Sequence, residues 1–142
     1  MSKVTIVYWS GTGNTEAMAK LIEGGAKEAG ADVNVVNVSD ANADAVLETD
    51  ILVLGCPSMG DEVLEESEFE PFVAEIEDKV SGKKLALFGS YDWGDGQWMR
   101  DWDERMKGKG AALPVDFLIV NNEPDGDDEE KCKAFGKQVA TA

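Results

Sequence analysis

Five short apolar runs alternate with amphipathic stretches along the chain, and this alternation limits the possible folds more than any other feature. The runs cover residues 4–9 (VTIVYW), 31–38 (ADVNVVNV), 50–56 (DILVLGC), 84–90 (KLALFGS) and 116–122 (DFLIVNN). All are aliphatic or β-branched and short, as strands buried on both faces should be. Between them, residues 14–29 place Ala17, Leu21, Ile22 and Ala26 near helical spacing, and residues 66–80 do the same with Phe69, Phe72, Val73, Ile76 and Val80. Residues 98–107 and 127–140 predict two further helices, and 41–48 a short one. Alternation of this kind produces parallel strands joined by right-handed crossovers. The expected fold is therefore α/β, a five-stranded parallel sheet with helices on both faces, doubly wound. No repeat, low-complexity tract or linker divides the 142 residues, so residues 1–142 are read as one domain.

In an open parallel sheet, ligands bind beyond the carboxyl ends of the strands, at the switch point. Three unusual loops sit at such ends. The first is Ser10-Gly11-Thr12-Gly13-Asn14-Thr15, which opens a helix. Its glycines let the backbone approach a ligand, and its hydroxyls and amide add donors. The N–H groups and dipole at a helix start favour an anion, so neutral donors can hold a phosphate here without a cationic side chain. The loop lacks the lysine of a triphosphate loop, and Glu16 stands where the dinucleotide fingerprint needs a third glycine. One terminal monophosphate fits better than a pyrophosphate or triphosphate. The plain alternative is a glycine-containing turn with a Thr or Asn helix cap and no ligand.

The second loop, GCPSMGDEVLEESEFE (55–70), contains the turn Met59-Gly60-Asp61-Glu62. Gly60 at the second position admits both type II and type II' geometry, so this peptide can flip. Met59 is soft enough to lie against a flat ring, although a lone methionine is more often packing. The third loop, GSYDWGDGQW (89–98), sets Tyr91, Trp93 and Trp98 among glycines and aspartates. Trp93, between Asp92 and Gly94, is suited to stacking on a ligand, whereas Trp98 and Trp102 suit the core. A phosphate at one end and a flat aromatic system at the other describe flavin mononucleotide (FMN).

Composition narrows the function. There is no histidine, which removes the usual general base and makes hydrolytic triads and most metalloenzymes poor candidates. Chemistry, if any, belongs to a cofactor. The 29 acidic residues against 13 basic ones, a net charge of -16, argue against nucleic acid and anionic membrane as partners. Cys56 and Cys132 lack zinc-site spacing and read as free thiols of a reducing compartment. With no signal-like or membrane-spanning run, a cytoplasmic protein is expected, and nothing calls for more than a monomer.

IVYWSGTGNTE, LGCPSMGDEVLEESEFEPF and LFGSYDWGDGQWMRDW resemble the three FMN loops of the short-chain, clostridial-type flavodoxins, and the similarity runs along nearly the whole chain. No extra segment of about twenty residues interrupts the last strand, as it does in the long-chain members. The resemblance implies a low-potential, non-enzymatic electron carrier that shuttles mainly between neutral semiquinone and anionic hydroquinone. It also implies roles for matching positions. Ser10, Thr12, Asn14 and Thr15, with backbone amides from Gly11 through Gly13 to Thr15, would bind the phosphate. Ser58 and Met59, after Pro57, would border one face of the isoalloxazine, and Trp93 would stack on the other. Glu62 would meet the N3 edge. Backbone amides near Asp92 and Trp93, in the stretch Ser90, Tyr91, Asp92, Trp93, Gly94, would meet N1 and O2. A flip of the Gly60-Asp61 peptide would offer the Gly60 carbonyl to N5-H, making these two residues the working part. Asp92 stands where clostridial relatives have glycine, which implies an acid either close to N1 or pointing outward, and the loss of a position able to take φ > 0.

The acid-rich segments 61–70, six acids in ten residues, and 125–130, five in six, read both as solvated helix starts and as a docking face near the flavin edge for basic or ferredoxin-using oxidoreductases. Other functions remain open to the residues. A phosphoacceptor signalling domain would need acids where Trp9-Ser10 and Cys56-Pro57 stand. A flavin enzyme such as a quinone reductase would need a substrate pocket for which no extra segment is evident. A non-redox FMN-binding module would share every residue of the site.

Overall fold

The computed structural model describes residues 2–11, 13–59, 63–92 and 94–142. Five parallel strands, β1 (Lys3–Tyr8), β2 (Asp32–Asn37), β3 (Ile51–Gly55), β4 (Leu85–Tyr91) and β5 (Leu118–Asn121), form one sheet in the order β2-β1-β3-β4-β5. Five helices alternate with them: α1 (Asn14–Glu28), the single-turn α2 (Ala43–Val46), α3 (Phe69–Ile76), α4 (Gln97–Gly108) and α5 (Asp127–Ala140). The α/β fold expected from the alternation is the one observed. The chain runs outward from β1 to β2, then returns to the other side of β1 for β3, and this reversal opens a crevice between β1 and β3.

Two cores lie on opposite faces of the sheet, sorted by the period-2 alternation of the strands. Val4, Ile6, Ile51, Val53, Ala86 and Phe88 pack with Met18, Ala19 and Ile22 of α1 and Phe135 and Val139 of α5. Val7, Leu52, Leu54, Leu85 and Leu87 pack with α2, with Phe69, Phe72, Val73 and Ile76 of α3, and with Trp98, Met99, Trp102 and Met106 of α4. Trp98 and Trp102 are core residues, as the sequence suggested. Helices α1 and α5 touch backbone to backbone. A Cβ at Gly25 would lie 2.0 Å from the Lys133 carbonyl oxygen, and one at Gly136 would lie 2.1 Å from that of Ile22.

Burial on both faces holds for β3 and β4 but not for β2 and β5, which end the sheet: β2 has only exposed and half-buried positions, and β5 buries Val120 alone. The helix expected over 66–80 begins only at Phe69 and passes into a 3-10 turn at Glu77–Lys79. Its start is delayed because the Glu65 carboxylate captures the amides of Ser67, Glu68 and Phe69. The short helix expected over 41–48 contracts to α2, capped by Asn42 Oδ1, which accepts from the Ala45 N–H at 3.0 Å.

Candidate functional site

A cleft of about 380 Å³ opens at the carboxyl ends of β1, β3 and β4, lined by Trp9, Ser10, Gly11, Asn14, Thr15, Pro57, Ser58, Met59, Ser90, Tyr91, Asp92 and Asn122. Ten of the residues expected to hold a cofactor are thus brought together from three loops. Gly13 and Gly94, both with positive φ, belong to the same loops without standing among the described walls. Thr12, Gly60, Asp61, Glu62 and Trp93, also expected at the site, lie outside the described residues.

The first loop is built around Ser10. Its Oγ accepts from the Gly13 N–H at 3.1 Å and the Glu16 N–H at 3.3 Å. Gly13, at φ 96°, is the residue before α1 and contributes no side-chain cap, so Ser10 supplies the capping function that the sequence reading gave to Asn or Thr. Thr15, 1% exposed, shares a 2.7 Å hydrogen bond with the Ser90 hydroxyl, which ties the first loop to the third. Every described side chain of this loop, residues 10–15, is neutral, and the first turn of a helix carries N–H groups lacking intrahelical acceptors. Such a donor set suits a dianionic phosphate.

The second loop leaves β3 at Gly55, and the Ser58 N–H donates to the Ser90 carbonyl at 3.0 Å. Met59 and Val63 then pair antiparallel, each N–H donating to the other's carbonyl at 2.9 Å. Beyond them Glu65 anchors the chain, 5% exposed, with its carboxylate accepting from the Ser67 hydroxyl and from the amides of Ser67, Glu68 and Phe69. Glu65 also donates its own N–H to Cys56 Sγ at 3.4 Å. The acid-rich segment is therefore not merely a solvated helix start. Glu65 is buried and capping, and Glu70 forms a two-pronged pair with Arg105, which also binds Glu77. The acids Asp127 to Glu130 do occupy the first turn of α5 as a helix-start cluster.

Burial and the neighbouring acids Glu65 and Glu70 push the Cys56 thiol far up, although the Glu65 amide opposes them. Burial, with Asp128 and Glu129, pushes the Cys132 thiol up to about 12. Both thiols are free and buried, and neither is poised as a nucleophile.

In the third loop, Gly89 allows the Cys56 carbonyl close passage, since a Cβ there would lie 2.2 Å from that oxygen. The same carbonyl accepts from Trp98 Nε1 at 3.2 Å. Asp92 is not among the positive-φ residues, so replacing glycine at this position imposes no left-handed strain. Trp9 and Asn122 line the cleft without having been singled out from the sequence. Their signal was positional, since each directly follows a strand.

Residues 6–136 match the flavodoxin family profile. The chain belongs to the flavodoxin family. It is 64% identical over 135 residues to the flavodoxin of Clostridium beijerinckii, covering 95% of this chain and 97% of the relative, and 51% identical over 139 residues to that of Megasphaera elsdenii, covering 98% and 99%. The solution structure of two-electron reduced Megasphaera elsdenii flavodoxin superposes with a TM-score of 0.89 at 50% identity, covering 98% of this chain and 99% of the other. The cofactor of the flavodoxin family is FMN, and its members transfer electrons between oxidoreductases. The walls described above fit that cofactor, since they combine the neutral hydroxyl and amide donors of the first loop with the apolar and aromatic side chains of Trp9, Met59 and Tyr91. Among the described residues no helix is long and apolar enough to cross a membrane.

The Glu65 cap makes this flavodoxin fold acid-sensitive at its cofactor loop. Burial raises the Glu65 carboxyl, but the Ser67 hydroxyl and the amides of Phe69, Ser67 and Glu68 outweigh it and hold it below its ordinary range. A depressed folded pKa means stability that is complete above the unfolded value, about 4.3, and lost as pH falls through the folded one. Glu65→Gln should lower the neutral-pH melting temperature, by about 1 kcal/mol of stability, and flatten its fall below about pH 4. Melting curves at several pH values check this, and parallel profiles for the two proteins would count against it.

Proposed function

We propose that the protein is a single-domain, non-enzymatic electron carrier that binds FMN in this cleft and works mainly between the neutral semiquinone and the anionic hydroquinone. The observation that carries the reading is the cleft itself, where neutral donors meet ring-sized apolar walls at the switch point of the sheet. When bound, the cofactor supplies one-electron chemistry, and the chain decides how strongly each charge state is favoured.

Ser10, Thr12, Asn14 and Thr15, with amides from Gly11 to Thr15, hold the phosphate. Pro57, Ser58 and Met59 border one face of the ring, Trp93 the other, and Glu62 the N3 edge. Ser90, Tyr91, Asp92 and Gly94 shape the loop at N1 and O2. The pairing of Met59 with Val63 supports a local flip of the Gly60-Asp61 peptide, because both flanks can stay fixed while one carbonyl turns toward N5. Turned that way, the Gly60 carbonyl would accept a hydrogen bond from an N5–H, a donor that only a reduced flavin offers.

Electrostatics sets the second step. A carboxylate about 10 Å from the ring raises the energy of a second negative charge by about 1.7 kcal/mol at an effective dielectric of about 20, or about 70 mV in a one-electron couple. The net charge of -16 supports a low potential and docking of basic or ferredoxin-using oxidoreductases on the acidic face.

Anaerobic stepwise reduction of the FMN complex, followed by visible absorption, tests this. A long-wavelength band should rise to a maximum midway and then vanish. Failure to bind FMN would remove the site assignment. Binding with direct two-electron bleaching would keep the site and reject the carrier.

A further inference from the structure

We propose that Asn121 is a positioning residue for the cofactor loop after β4, orienting the Tyr91-Asp92 peptide so that the Asp92 N–H faces the cleft. The proposal rests on the FMN reading above, and it assigns a task to a residue outside the cleft walls. Successive peptides of β4 point alternately to its two neighbours. The Ser90 carbonyl accepts from the Ser58 N–H at 3.0 Å, on the β3 side. The Tyr91 carbonyl accepts from the Asn122 N–H at 2.7 Å, on the β5 side. In a trans peptide the N–H lies opposite the C=O, so the Asp92 N–H is turned from β5 toward Ser58 and Met59, across the cleft.

β5 ends at Asn121, and the Asn122 N–H carries the backbone pairing as far as the Tyr91 carbonyl. The Asn121 side chain extends the ladder by one residue. Its Nδ2 donates to the Tyr91 carbonyl at 3.3 Å and to the Asp92 carbonyl at 3.4 Å. Its Oδ1 is in turn held by Asn122 Nδ2 at 3.1 Å, and Asn122 adopts φ 61°, a left-handed conformation that asparagine tolerates. Two adjacent carbonyls are thereby drawn to one side of the loop, and the Tyr91-Asp92 peptide presents its N–H to the cleft. A donor aimed in advance at the N1 and O2 edge spares the ligand the work of ordering the loop.

Asn121→Ala and Asn121→Asp both remove the donor, and the second keeps the shape. Each should weaken FMN binding roughly 3- to 10-fold, as loss of one hydrogen bond implies, and should change the residual dipolar coupling of the Asp92 amide in the FMN-free protein. Val139→Ala, in the α1/α5 core, lowers stability without touching this loop and should move neither readout. Asn121 variants with wild-type FMN affinity and an unchanged Asp92 coupling would overturn the proposal. If the wild-type protein failed to bind FMN, the functional reading would fall, while the coupling measured without ligand would still decide whether Asn121 orients the peptide.

Discussion

Ser10→Ala should weaken FMN binding roughly 10- to 150-fold, the range for losing a hydrogen bond to a charged group, and leave riboflavin binding almost unchanged. A serine hydroxyl has two lone pairs and one proton. Both acceptor directions of Ser10 Oγ are taken, by the N–H groups of Gly13 and Glu16. The proton is left to donate elsewhere, and Ser10 lines the cleft. The substitution also removes a helix cap, at a cost of about 1 kcal/mol in the apoprotein. Riboflavin, which lacks the phosphate, separates the two effects. Fluorescence titration of both flavins against both proteins gives the ratio directly. An equal loss for the two ligands would reduce Ser10 to its capping role.

Neighbouring glycines in α1 should respond to alanine with opposite signs. In a helix, glycine to alanine ordinarily stabilises by about 0.5–1 kcal/mol. Gly24 has nothing within 4 Å of a built Cβ, so Gly24→Ala should gain that amount. At Gly25 the new Cβ would lie 2.0 Å from the Lys133 carbonyl oxygen and 2.8 Å from its carbon. Neither atom belongs to a side chain that can rotate away, so α1 and α5 must separate. Overpacking of this kind costs about 1–3 kcal/mol, enough to reverse the helix-propensity gain. Gly25→Ala should therefore melt roughly 3–10 °C below the parent, with Gly24→Ala slightly above it. Melting by circular dichroism checks both, and a stabilised Gly25→Ala would mean the helices are not in contact there.

Features carried by local pattern were the ones legible in the sequence. The strands announced themselves as apolar runs, and the three loops by glycines, hydroxyls and aromatics placed directly after them. Ten of the expected cofactor residues meet in one cleft for that reason. The features that escaped notice depend on burial or on partners that only folding brings together. Glu65 looked like one acid among six until folding buried it beneath three amides. Asn121 matters through carbonyls about thirty residues away. The two ends of the sheet were expected to be fully buried because hydrophobicity does not reveal which strand lies at an edge. Gly25 and Gly136 gave no sign of touching another helix, since periodicity identifies a buried face and not what lies across it.

The seam between α1 and α5 also sets an order of events on the ribosome. The first loop and the helix it opens are made early, and the sheet covers part of Met18, Ala19 and Ile22, but Phe135 and Val139 complete that cover only later. Until residues 127–140 emerge, the flank of α1 against which α5 will rest stays open to water, and the helix lacks part of the tertiary packing that stabilises it. The first loop is consequently braced in full only when the last helix has docked. A nascent chain stalled before α5 holds all three loops and lacks the brace that keeps the first of them in place.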